Sequence, residues 1–165
     1  MKYVIEDFTT TPALFWKTDP EIWRMIIDTN INGVFLMTRA VVPIMLEQKW
    51  GRIINISVHE RTMRRKGFSP YGPSKAALES MSTIWSKELE GTGVTLNMLL
   101  PGGATHTGMV PSKIPPDQLK GLLKPEVMDP AAIYLASDEA GQVNGNRIVA
   151  VEWNEEHKNR KKDFT

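Results

Sequence analysis

Tyr71 and Lys75, in the run Tyr-Gly-Pro-Ser-Lys, are the residues whose types and spacing best suit chemistry. Positions four apart share one face of a helix, so the ammonium of Lys75 comes near the phenol of Tyr71. A free tyrosine ionises near pH ~10 and is a poor acid or base at neutral pH. A neighbouring cation favours the phenolate and lowers that value, which makes proton exchange with an alcohol or carbonyl feasible. The spacing alone is weak, and its meaning depends on the elements that carry it.

Those elements read as a parallel α/β unit. Residues 52–57 are short and almost continuously apolar, as a strand covered on both faces would be, and residues 94–100 have the same character. Between them a helix over about residues 74–90 puts Leu78, Met81, Trp85 and Leu89 on one stripe. Strand, helix, strand predicts a βαβ crossover. Upstream, Asp19 or Thr18 caps a helical pattern that runs to Gln48, with a kink expected at residues 29–33 and Gly51 as its stop. Downstream, Pro101-Gly102-Gly103 opens a loop or lid to Pro116. Short helices over residues 117–124 and 130–137 and a last strand over residues 146–151 follow. Residues 154–165 read as a solvated, fraying tail.

Composition narrows the function. The 165 residues suffice for one domain with a proper core. No apolar run approaches a membrane span, and the amino terminus lacks the apolar centre of a signal peptide, so a cytoplasmic protein with no membrane partner is expected. Cysteine is absent, which excludes disulfides and thiolate catalysis. Three scattered histidines give no metal-ligand spacing, so no metal site is expected. The formal net charge of +1 gives no case for nucleic acid.

In context, the Tyr71/Lys75 pair opens a helix after a strand ending Asn55-Ile56-Ser57. Asn30-x-x-Gly33-x-Phe35 precedes that strand, and Pro101-Gly102 ends the next one. Over about residues 19–151 this combination resembles the short-chain dehydrogenase/reductase family. The resemblance implies a partial Rossmann-like, doubly wound parallel sheet and an NAD- or NADP-dependent oxidoreductase. The substrate would be a small-molecule carbonyl or secondary alcohol. It makes Tyr71 the proton donor or acceptor and Lys75 the residue that lowers its pKa and holds the nicotinamide ribose. Asn30 would hold the water of a proton relay. Pro101, Gly102, Thr105 and Thr107 would lie against the nicotinamide. Ser57 is the candidate to orient the substrate, although it lies fourteen residues before Tyr71 where the family more often has thirteen, the position of Val58. His59 is the alternative, and Met63 is a further candidate near the substrate, though a residue of this type is more often core or flap. The run Arg61, Arg64, Arg65, Lys66 fits either an anionic substrate or a solvated loop.

The family's Gly-x-x-x-Gly-x-Gly cofactor loop is not in this sequence. In the strand order 3-2-1-4-5-6-7 the retained strands would be 5, 6 and 7, which leaves one sheet edge without its neighbour. Residues 1–10 or a second copy of the chain are expected to cover that edge. The helices around residues 30–48 and 74–90 correspond to those that pair subunits in the family, which implies a homo-dimer or tetramer. The organisation expected is an extension or flap at residues 1–17, the catalytic half at 18–153 and a charged tail at 154–165. Two rival readings remain: a non-catalytic relative kept for oligomerisation or for binding a small ligand, and a fragment of a longer enzyme.

Overall fold

The computed structural model describes residues 13–110 and 115–162. The segment expected to cover the sheet edge, residues 1–10, lies outside the described residues. Helix α1 (Pro20–Ile27) begins as its sequence predicts: Asp19 caps it by accepting from Glu21 N at 2.8 Å, and Pro20 takes the first helical position. The expected kink is a five-residue π turn, Asp28–Asn32, leading into α2 (Gly33–Gln48). Polar Asn and Gly make the region a poor α-helix, and the wider turn re-aims Asn30. Pro43 is accommodated within α2.

One helix stop differs from expectation. Lys49, in the left-handed region at φ 53°, ends α2; Gly51 instead opens strand β1 (Gly51–Ile56), packed under Met45. Taken end to end, Pro20–Gln48 is 29 residues long with a window of mean hydropathy 1.3. By length and composition alone it therefore reaches the range of a membrane span, contrary to the reading from runs of apolar residues. Contacts with α4 and β1 account for part of its apolar face.

Helix α3 (Glu60–Met63) is a single turn, and α4 spans Tyr71–Glu88, starting three residues earlier than its apolar stripe suggests. Strand β2 (Val94–Leu100) matches its expected span and is buried throughout. Next come α5 (Pro116–Leu119), shorter than expected, and α6 (Asp129–Ala136), in which Asp129 makes no capping bond. Strand β3 (Arg147–Val149) and α7 (Ala150–Lys162) complete the described chain. The expected tail is thus helix, and the last strand is half its expected length. Trp153 and His157, one turn apart, stack with ring centroids 3.6 Å apart, and Trp153 meets Tyr134 of α6 at 5.4 Å. That aromatic contact holds the helix where the charged composition pointed to solvent.

The sheet is three parallel strands in the order β1-β2-β3, with Gly51 opposite Val94 and Leu99 opposite Ile148. Helices cover both faces. Val42 and Met45 of α2 and Trp85 of α4 pack with Leu89, Val94, Leu96 and Ile53 on one side. Ala131 and Leu135 of α6 pack with Leu99, Ala150 and Ile54 on the other. Each fully buried leucine of β2 contributes about 1.5–3 kcal/mol relative to exposure, so β2 is the spine of the fold. Among the described residues β1 pairs with β2 alone. A groove of about 600 Å³, lined by Met37, Val41, Met45 and Ile53, runs along its other side under α2.

Candidate functional site

The carboxyl ends of β1 and β2 are where a parallel sheet of this kind binds ligands. Tyr71 and Lys75 are delivered to this end by the first two turns of α4. Helix α3 packs its final carbonyl against those turns. A Cβ on Gly72 would sit 2.1 Å from Met63 O, so only glycine lets the two helices approach this closely. The amide of Gly72 donates to Phe68 O at 2.6 Å, and the ring of Phe68 meets that of Tyr71 edge-on at 6.5 Å.

Tyr71 is 9% exposed, and burial pushes its phenol above the ordinary tyrosine value. Lys75 Nζ lies 5.8 Å from the centre of the Tyr71 ring and donates to Ile56 O at 2.9 Å. Burial pulls its ammonium below the ordinary lysine value. The cation was expected to bring the phenol down. In this structure desolvation dominates the phenol, because the ammonium is anchored on a strand carbonyl.

Asn30 reaches the same helix from the π turn. Its Nδ2 donates to Ser74 Oγ at 2.9 Å, and Ser74 in turn donates to Tyr71 O at 2.7 Å. Sequence reasoning named Asn30 but missed Ser74, the buried residue inside the Tyr-x-x-x-Lys motif that links the two. The small polar residues Ser74, Ser82 and Ser86 recur along the buried side of α4 and were a signal that could have been read.

Ser57 is not free to orient a substrate in this structure. It is 1% exposed and its hydroxyl donates to Glu79 Oε1 at 2.5 Å. Strand alternation is the cause: Asn55 and Ser57 both face α4, where Asn55 Nδ2 donates to Ser82 Oγ at 2.8 Å. His59 accepts from Arg61 N through Nδ1 at 3.1 Å and so caps α3. Met63 is half-buried where α3 meets α4. Two further polar residues, Glu79 and Arg147, join this region and were not anticipated: Arg147 Nε donates to Glu79 at 2.8 Å and its terminal nitrogen donates to Val58 O at 3.0 Å.

Pro101 and Gly102 follow β2 directly. Gly102 takes φ +97°, and its missing side chain leaves room for Val149 and Val151 of the neighbouring β3–α7 junction. Thr105 donates to Gly103 O at 3.2 Å and Thr107 accepts from Met109 N at 3.3 Å, so both hydroxyls are engaged with their own loop. The basic run divides: Arg64 pairs with Glu60, Arg65 stacks 4.8 Å over the Phe68 ring, and Arg61 and Lys66 are exposed. Among the described residues no three His, Asp or Glu side chains form a metal-binding group.

A nicotinamide and its ribose fit this arrangement in residue type. Tyr71, Lys75 and the Pro101–Gly102 turn stand at adjoining strand ends, and the Lys75 ammonium has donors beyond the one given to Ile56. The pyrophosphate end has no such fit, because no glycine-rich turn from strand to helix occurs among the described residues.

Residues 9–117 match the family model for short chain dehydrogenase. The chain is 34% identical over 146 residues to a 3-oxoacyl-[acyl-carrier-protein] reductase of Thermotoga maritima, which covers 84% of this chain and 59% of that protein. It is 32% identical over 149 residues to an acetoacetyl-CoA reductase of Shinella zoogloeoides, covering 86% and 62%. The chain thus spans about three-fifths of the length of these relatives. Among solved structures it resembles a gluconate 5-dehydrogenase of Burkholderia cenocepacia in complex with NADP and tartrate. The TM-score is 0.74 at 25% identity, over 85% of this chain and 58% of that one. A short chain dehydrogenase from Escherichia coli CFT073 complexed with NADPH aligns with TM-score 0.75 at 25% identity, over 86% and 58%. Together with the parallel sheet and its order, these matches show that the chain belongs to the short chain dehydrogenase family.

Proposed function

We propose that this chain carries the proton-transfer half of an NAD(P)-dependent oxidoreductase that interconverts a carbonyl and a secondary alcohol. The observation that carries the reading is Tyr71 beside Lys75 on one face of α4, at the carboxyl end of β1. The phenol gives a proton to the carbonyl oxygen in reduction and takes it back in oxidation. Lys75 holds the ribose and supplies the positive charge that steadies the phenolate. Pro101 and Gly102 bound the nicotinamide position, and Asn30 ties the π turn to the first turn of α4. A bound NAD(P) supplies the hydride. The named activities of the relatives make a 3-oxoacyl thioester the first substrate to try. The same reading makes the protein a cytoplasmic homo-dimer or tetramer with no nucleic-acid or membrane partner.

The rival, a non-catalytic binding protein, is favoured by the engaged hydroxyl of Ser57. Fluorescence of the five tryptophans, Trp85 of α4 among them, separates the two. Saturable NAD(P)H binding with thioester reduction, and loss of turnover but not of binding in Tyr71→Phe, is the expected result. No binding at millimolar cofactor sinks the enzyme reading.

A further inference from the structure

Tyr71, Lys75 and Glu79 follow one another at four-residue intervals on α4 and so lie along one face. Each of the three residues leaving β1 is held by a charged side chain. Ile56 O accepts from Lys75, Ser57 Oγ donates to Glu79, and Val58 O accepts from Arg147. Arg147 also donates to the same Glu79 oxygen that receives Ser57. The side chains of Arg147 and Glu79 are 33% and 22% exposed, so their charges are poorly screened by solvent.

Charge decides what this arrangement does. A free carboxylate one turn from Lys75 would draw the ammonium toward itself. On an isolated helix the order Lys-before-Glu is the weaker one, but partial burial of both groups strengthens the attraction. A guanidinium is permanently charged, and Arg147 reaches the carboxylate from β3. We propose that Arg147 is a positioning residue: it neutralises Glu79 and so leaves the Lys75 ammonium on Ile56 O and beside Tyr71. Arg147 acts through Lys75 and touches neither substrate nor cofactor. Also at this end of α4 are Tyr71 itself and Arg65, which stacks on the Phe68 ring that meets Tyr71. From β1 and the π turn come the neutral Ser57 and Asn30. The consequence for catalysis rests on the Tyr71/Lys75 reading above, but the test does not require turnover.

The full chain carrying lysine labelled with ¹³C at Cε is titrated by NMR, with the Lys75 signal identified by its loss in Lys75→Met. Arg147→Gln frees the Glu79 charge, and the Lys75 midpoint rises by about one pH unit or more as the two pair. Glu79→Gln does not raise it. The double variant Glu79→Gln/Arg147→Gln, with both charges gone, returns the midpoint to the wild-type value, a rescue that a merely structural clamp would not give. Arg147→Met, which keeps the apolar stem, behaves as Arg147→Gln. An unchanged midpoint in Arg147→Gln, or a double variant shifted as far as the single, overturns the proposal. Loss of folding in both Arg147 variants overturns it too, because the pair would then hold the fold rather than Lys75. Failure of NAD(P)H binding leaves these midpoints unaffected, so the two readings fail separately.

Discussion

Lys75 Nζ lies 2.9 Å from the carbonyl oxygen of Ile56, so the β1 exit and the second turn of α4 are joined through a half-buried ammonium. Burial lowers the pKa of Lys75 from the ordinary 10.5, and the unfolded chain therefore binds that proton more tightly. The contribution of this group to stability is present above 10.5 and is lost as pH falls through the folded value. Burial raises the pKa of Tyr71 above 10.0, so its contribution is present below 10.0 and is lost as pH rises through its own folded value. Lys75→Met is expected to gain most against wild type at pH 7, the gain shrinking as pH approaches 10.5. Tyr71→Phe should gain only above pH 10. Urea midpoints at pH 7, 9 and 10.5 check both, and a pH-independent difference would refute the linkage.

Asn30 and Ser74 predict a coupling rather than two separate effects. The amide donates to a hydroxyl that is itself committed to Tyr71 O. Asn30→Ala should cost about 1 kcal/mol. The double change with Ser74→Ala should fall short of the sum of the singles by about 0.5–1 kcal/mol. Additive urea-denaturation energies would mean that the contact does not fix the π turn to α4.

Legibility followed physical locality. The β2 span, the cap at Asp19 and the break near Asn30 were readable because each depends on neighbours within a few residues. The Tyr71/Lys75 face was readable because helical spacing alone sets it. The engagement of Ser57 by Glu79 was not readable, because which side chain meets a strand residue depends on how β1 seats against α4, far along the chain. Arg147 lies 68 residues from Glu79, and no local pattern announces a pair at that separation. The helical tail was hidden for the same reason, since the rings that hold Trp153 and His157 include Tyr134 of another element.

Gly72 should be the least replaceable glycine near the site. Ala at this position would drive Cβ to 2.1 Å from the Met63 carbonyl, a backbone atom that cannot step aside without moving α3. Gly72→Ala is expected to cost about 2–3 kcal/mol and to lower the thermal midpoint. Gly108→Ala, with no atom within 4 Å of its Cβ, should stay within about 0.5 kcal/mol of wild type. Equal effects at the two positions would show that α3 is not seated on α4 as described.

The groove between α2 and α4 gives a test of self-association. It encloses about 300 Å³ and is lined by Phe35, Val42, Leu46, Trp85 and Leu89. Phe35 is 45% exposed and tilts against Trp85 at 6.3 Å, while Leu36, Met37 and Ile84 add exposed apolar surface on the same two helices. Apolar side chains left open in this number commonly mark a contact with another protein. If α2 and α4 pair copies of the chain, Phe35→Glu should shift the species seen by light scattering toward monomer. Its cost in folding stability should be about 1 kcal/mol or less, because the side chain is half in solvent. A wild-type chain that is monomeric at all concentrations, or a Phe35→Glu variant that associates as strongly as wild type, would rule this face out.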